Sequence, residues 1–128
     1  MPVSGKPPYD DQNIFAKILR GEIPCQKVFE DDYALDFNDI NPQGPIHVLV
    51  IPKAPYVSYA DFAATAPETL IANFSRAVAA VAKQLGLEET GYRLIANMGT
   101  DSHQMVPHYH VHIIGGRPLG HMIVPLKT

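Results

Sequence analysis

Residues 108–114 read His-Tyr-His-Val-His-Ile-Ile, with an imidazole at every second position and tyrosine or an aliphatic residue between. Side chains alternate across a strand, so this period puts His108, His110 and His112 on one face, ~6.6 Å apart along the chain, and Tyr109, Val111 and Ile113 on the other. The apolar face belongs on a core. The histidine face must meet water, a ligand or other polar groups, because burial alone does not select three imidazoles. The chain therefore has to build a sheet with two chemically different sides.

The other patterns describe what surrounds such a sheet. Ile14, Phe15, Ile18 and Leu19 recur at helical spacing after the possible caps Asp10, Asp11 and Asn13, which predicts a short helix ending at Gly21. Lys27–Glu30 and Ala34–Phe37 alternate around Asp31-Asp32 and predict a hairpin. After the turn formers Asn41–Pro45, Ile46–Pro52 is almost wholly apolar, as in a strand covered on both faces, with His47 its one titratable member. Residues 54–62 read as a connection with a short helical turn. Leu70, Ile71, Phe74, Ala77, Val78, Val81 and Leu85 mark one face of a long helix, with Pro67 in its first turn and Gly86 at its end. Tyr92–Asn97 and Tyr109–Ile114 complete the strands, separated by a loop over 98–107.

This order has no β-α-β alternation. It predicts an α+β fold with an antiparallel sheet of about five strands, one long helix and one short N-terminal helix. The 128 residues suit one domain over 1–128, with 1–10 a loose arm and 119–128 a tail apolar enough to pack on something, a second subunit being one candidate.

Composition removes several function classes. Ten basic and thirteen acidic residues give a net charge of −3 with no basic block, so no nucleic-acid polymer is expected as a partner. No apolar run approaches the ~20 residues of a membrane span, and no membrane partner is expected. Cys25 is the single cysteine, which leaves no internal disulfide and fits a reducing, cytoplasmic setting.

Three aligned imidazoles allow two chemistries. A metal can be shared by a His-x-His pair, but the outer pair is ~13 Å apart on an ideal strand, so three ligands to one ion would need a bend or help from His47 or His103. Alternatively the middle histidine is a nucleophile. If its other nitrogen donates to a carbonyl or side chain, the attacking nitrogen is bare and aimed, and flanking imidazoles can hold phosphate oxygens or move protons.

The segment 108–114 resembles the His-x-His-x-His-x-x signature of the histidine triad superfamily. The likeness spreads through Asn13–Ile18, Gly21–Pro24, Phe29–Asp32, Phe37–Gln43, His47–Lys53 and Gly115–Arg117, all similar to the Hint branch. The resemblance implies a purine nucleoside phosphoramidase of the HIT-like fold, a homodimer that joins two sheets edge to edge, working without a metal or other cofactor through a nucleotidyl-histidine intermediate. By that likeness His110 is the nucleophile, and His108 and His112 support it and contact phosphate. His47, Asn97 and Gln104 are further active-site residues, Asp39 takes the ribose hydroxyls, and Ile14, Phe15, Ile18, Phe37, Ile40 and Leu49 form the slot for the base. Read from the residues alone, Asp39 also serves as a loop organiser, Asn97 as a strand end, His47 as a hydrogen-bonded buried histidine, and the apolar set as ordinary core.

Two positions depart from many Hint relatives. His103 stands where glycine is common, and Met105 replaces a hydroxyl that could reach the scissile phosphate or the leaving nitrogen. Beside the phosphoramidase, the sequence leaves open a dinucleoside polyphosphate hydrolase or nucleotidyl transferase, a nucleotide-binding regulator with weak catalysis, and a metal-dependent enzyme.

Overall fold

The computed structural model describes residues 1–124. Five strands form one antiparallel sheet: β1 (Lys27–Glu30), β2 (Ala34–Asn38), β3 (Ile46–Pro52), β4 (Tyr92–Ile95) and β5 (Val111–Gly115), in the order β1-β2-β3-β5-β4. Three helices complete the α+β fold: α1 (Ile14–Leu19), α2 (Tyr59–Thr65) and α3 (Glu68–Gln84). α1 starts where the sequence places it, because the Asn13 side chain accepts from the Ala16 N–H at 2.9 Å and satisfies a donor the helix leaves free.

The alternation of β3 sorts its residues onto two cores. Val48 and Val50 join Ala34, Val111, Ile113 and the inner face of α3, while Leu49 and Ile51 pack with Phe15, Leu35 and Phe37 beneath α1. Burial on both sides explains why this strand has almost no polar position. Tyr109, Val111 and Ile113 all reach the α3 core, so the two-residue period of the histidine segment holds even though strand pairing begins only at Val111.

Three expectations need adjustment. The turn expected within 54–62 is a helix over Tyr59–Thr65, started by Ser58, whose hydroxyl accepts from the Asp61 N–H. Pro67 precedes α3 as its N-cap instead of lying in the first turn. The first ten residues are no loose arm: the Val3 N–H donates to the Gln104 carbonyl at 2.8 Å, and the Ser58 hydroxyl donates to the carbonyl of buried Gly5 at 2.7 Å. In the tail, Arg93 donates to the Gly120 and His121 carbonyls and Met122–Val124 are exposed; the rest of the expected tail, 125–128, lies outside the described residues.

Asp36 is the discordant residue of the core. It pairs with Val50 on the α3 side of the sheet, is fully buried, and both carboxylate oxygens lack a hydrogen-bond partner. Desolvation raises its pKa from the ordinary 3.8 to about 7, because burial penalises the charged form. As pH rises from about 4 to about 7, the unfolded carboxyl loses its proton first, so this group costs stability progressively across that window. Asp36→Val should stabilise the fold by roughly 1–3 kcal/mol, with a gain that grows from about pH 4 to about pH 7. Urea unfolding of both proteins at several pH values measures this; a pH-independent difference would contradict it.

Candidate active site

On the sheet face opposite α3, register aligns Phe37 of β2, Leu49 of β3 and His112 of β5. Phe15 of α1 packs edge-on against Phe37 and against His110, with centroids 5.5 Å and 5.0 Å apart. α1, the sheet and the loop after β4 enclose a cleft of about 960 Å³. Ile14, Phe15, Ile18, Phe37, Ile40 and Leu49 line its apolar part, and Asp39, Asn97, Gln104, His110 and His112 its polar part; His103 and Met105 also reach it. Every residue expected at the site therefore borders one cleft except His47 and His108, which stand behind its wall, 4% and 0% exposed.

The hydrogen bonds assign the ring protons. Nδ1 of His110 lies 2.7 Å from the His108 carbonyl, an acceptor only, so Nδ1 carries the proton and Nε2 the lone pair. Nδ1 of His47 accepts from the Gln43 N–H at 2.9 Å, which leaves the His47 proton on Nε2, 2.9 Å from Nδ1 of His112. His112 thus accepts at Nδ1 and keeps its own proton on Nε2. His108 is closed on both sides: Nε2 donates to the Pro52 carbonyl at 3.0 Å and Nδ1 meets the Tyr9 hydroxyl at 2.6 Å. Asp36 supplies the only buried side-chain polar atoms without a partner among the described residues. Nε2 of His110 and Nε2 of His112 make no hydrogen bond there and are therefore open to the cleft. One is a bare lone pair, the other a free donor.

Burial keeps these rings neutral. Desolvation lowers the pKa of His110 and brings those of His108 and His112 to about 4; for His112 the neighbouring rings add to the effect and Asp39 opposes it. His47 is likewise lowered by burial against the pull of Asp39. A neutral imidazole is the form that can attack an electrophile.

Two polar residues are occupied differently from expectation. Gln104 donates to the Val57 and Val106 carbonyls and accepts from the Gly99 N–H, so its side chain braces the loop and both of its N–H donors are already used. His108 likewise has no nitrogen free for phosphate, and its ring acts as a prop. Asp39 accepts from the Asn41 N–H at 2.8 Å with one oxygen, while the other lies 3.4 Å from Nε2 of His47. The ligand atoms of Asp39, His47 and His112 fall within 4.8 Å of one another, a set that could hold a cation, although the close His47–His112 contact already functions as a hydrogen bond.

Sequence comparison adds to this geometry. The HIT domain profile matches residues 20–119. The chain belongs to the HIT family. A 13.2 kDa HIT-like protein of Azospirillum brasilense is 56% identical over 115 residues, 90% of this chain and 94% of that protein. The purine nucleoside phosphoramidase of Escherichia coli K12 is 42% identical over 113 residues, 88% of this chain and 94% of that protein. The crystal structure of a HIT family hydrolase from Legionella pneumophila superposes with a TM-score of 0.76 at 41% identity, covering 83% of this chain and 94% of that one. The antiparallel sheet and flanking helices are thus the HIT fold.

Three contributors to this HIT site escaped the sequence reading. The Gln43 N–H and the Pro52 carbonyl are backbone groups that any side chain could carry, and Tyr9 lies 99 positions from the ring it meets. The neutral rings of His108 and His112 have a direct signature. Their Hε1 proton resonances should stay flat from about pH 8 to about pH 5, and a titration step near 6.5 in either would contradict the assignment.

Proposed function

We propose that this HIT protein is a purine nucleoside 5′-phosphoramidate hydrolase that releases a nucleoside monophosphate and an amine. The observation that carries the reading is the bare Nε2 of His110, open to a cleft that is apolar on one side and polar on the other. Phe15, Ile18, Phe37 and Leu49 offer a planar base an apolar slot, with Ile14 and Ile40 at its edge. Asp39 retains lone pairs for ribose hydroxyls, and the Nε2–H of His112 is a donor for a phosphate oxygen.

In the first step Nε2 of His110 bonds to the α-phosphorus as the P–N bond breaks. The departing nitrogen takes a proton from water, because Met105, 47% exposed beside the cleft, has none to give. The imidazole becomes cationic as the new bond forms, and the His108 carbonyl accepting from Nδ1–H stabilises that charge. Water then attacks the same phosphorus and gives its proton to the hydroxide left by the first step, the P–N bond to His110 breaks with its electron pair returning to Nε2, and the monophosphate leaves. No step requires a metal.

Incubation with an adenosine 5′-phosphoramidate of a simple amine should release AMP, His110→Ala should slow release by about 10³-fold or more, and a chelator should leave the rate unchanged. An undiminished rate in His110→Ala would refute the mechanism; loss of activity to a chelator would favour a metal enzyme built on Asp39, His47 and His112. Slow turnover indifferent to His110, with tight AMP binding, would favour the regulator.

The chain also acts as a homodimer in this reading. β4 is an edge strand that exposes Tyr92 and Leu94, whereas the β1 edge carries Lys27 and Glu30 in an ion pair. Exposed apolar edges invite pairing and charged ones resist it. Light scattering should give twice the chain mass, and Leu94→Lys should shift it toward the monomer; a monomeric parent protein would reject the dimer.

A further inference from the structure

The N-terminal segment lies outside the residues matched by the HIT domain profile, yet it is built into the back of the histidine wall. The Val3 N–H is bound to the Gln104 carbonyl and the Gly5 carbonyl to the Ser58 hydroxyl. At Gly5, with φ +75°, a Cβ would come within 2.8 Å of Oε1 of Gln104, so only glycine lets the backbone run this close. These anchors deliver Tyr9 to His108. The two rings meet edge to face with centroids 5.6 Å apart, and the hydroxyl lies 2.6 Å from Nδ1.

The donor in that contact is fixed by its surroundings. Nε2 of His108 faces the Pro52 carbonyl and must carry the ring proton, so Nδ1 accepts and the Tyr9 O–H donates. His108 is then held by Tyr9 on one side and by the end of β3 on the other. Its own carbonyl in turn accepts from Nδ1–H of His110. Tyr9 does not border the cleft and meets no substrate; it acts through the residue whose carbonyl aims the nucleophile.

We propose that Tyr9 is a positioning residue for the HIT reaction, with its hydroxyl bracing His108 so that the His108 carbonyl fixes the tautomer and direction of His110. The N-terminal segment is therefore part of the catalytic unit. This inference rests on the phosphoramidate hydrolase reading, since it assigns Tyr9 a share in the nucleophilic step.

The test is Tyr9→Phe in the full chain, which removes one hydroxyl and keeps the ring. Loss of one bracing hydrogen bond should lower kcat on the adenosine phosphoramidate roughly tenfold, while KM and AMP affinity stay within about twofold. The ring-nitrogen resonance of Nδ1 in His108 should move as it loses its donor. An unchanged kcat would overturn the proposal. A parallel decline of kcat, AMP affinity and melting temperature would also overturn it, because that pattern marks a general structural prop. An inactive parent protein that still binds AMP would sink the hydrolase reading instead; the His108 signals would then decide the brace, unchanged signals in Tyr9→Phe overturning it.

Discussion

The hydrogen bond from Nδ1 of His110 to the His108 carbonyl, 2.7 Å across two residues, is the constraint on which the site depends. A neutral imidazole has one proton and one lone pair, and this contact decides which nitrogen has which. The acceptor is backbone, so its position is set by how the chain enters β5. That entry is held on both sides, by the Tyr109 N–H donating to the Tyr56 carbonyl at 2.7 Å and by the His108 ring wedged against Pro52 and Tyr9.

The histidines that look alike in sequence are therefore unlike in role. His110 presents a lone pair, His112 presents a proton, and His108 presents neither, its polarity being spent inside the protein. His47 belongs to the same system although it lies on another strand. The Gln43 N–H sets its tautomer, which sets that of His112. A chain of backbone–ring and ring–ring contacts thus distributes protons over three buried imidazoles and the half-buried His112 without charging any of them, and desolvation keeps them neutral at the pH where a nucleophile is needed.

Much of this was legible beforehand because periodicity reports which side of an element is buried. The two-residue period gave the opposed faces of the 108–114 segment, the apolar run gave a doubly covered β3, and the Asn13 cap gave α1 its start. What stayed hidden depended on contacts without a sequence pattern. The N-terminal segment is anchored by a backbone N–H, a carbonyl and one hydroxyl, contacts that no residue pattern announces, so its prolines and glycine suit a loose arm. His108 shares a face with His110 and His112, yet only the latter two reach the cleft, because Tyr9 and Phe15 of α1 cover the His108 end of the row. Asp36 follows Ala34 on the α3 side of β2, and its burial without a partner follows from the depth of the sheet under α3, which a strand pattern alone does not convey.

The most direct measurement is the tautomer of His110, read from a long-range proton–nitrogen correlation spectrum of labelled protein near neutral pH. The expected spectrum shows a proton on Nδ1 and a lone pair on Nε2. A spectrum showing the proton on Nε2, or a fully protonated ring, would contradict it, because the nitrogen facing the cleft would then have no electron pair to give to phosphorus.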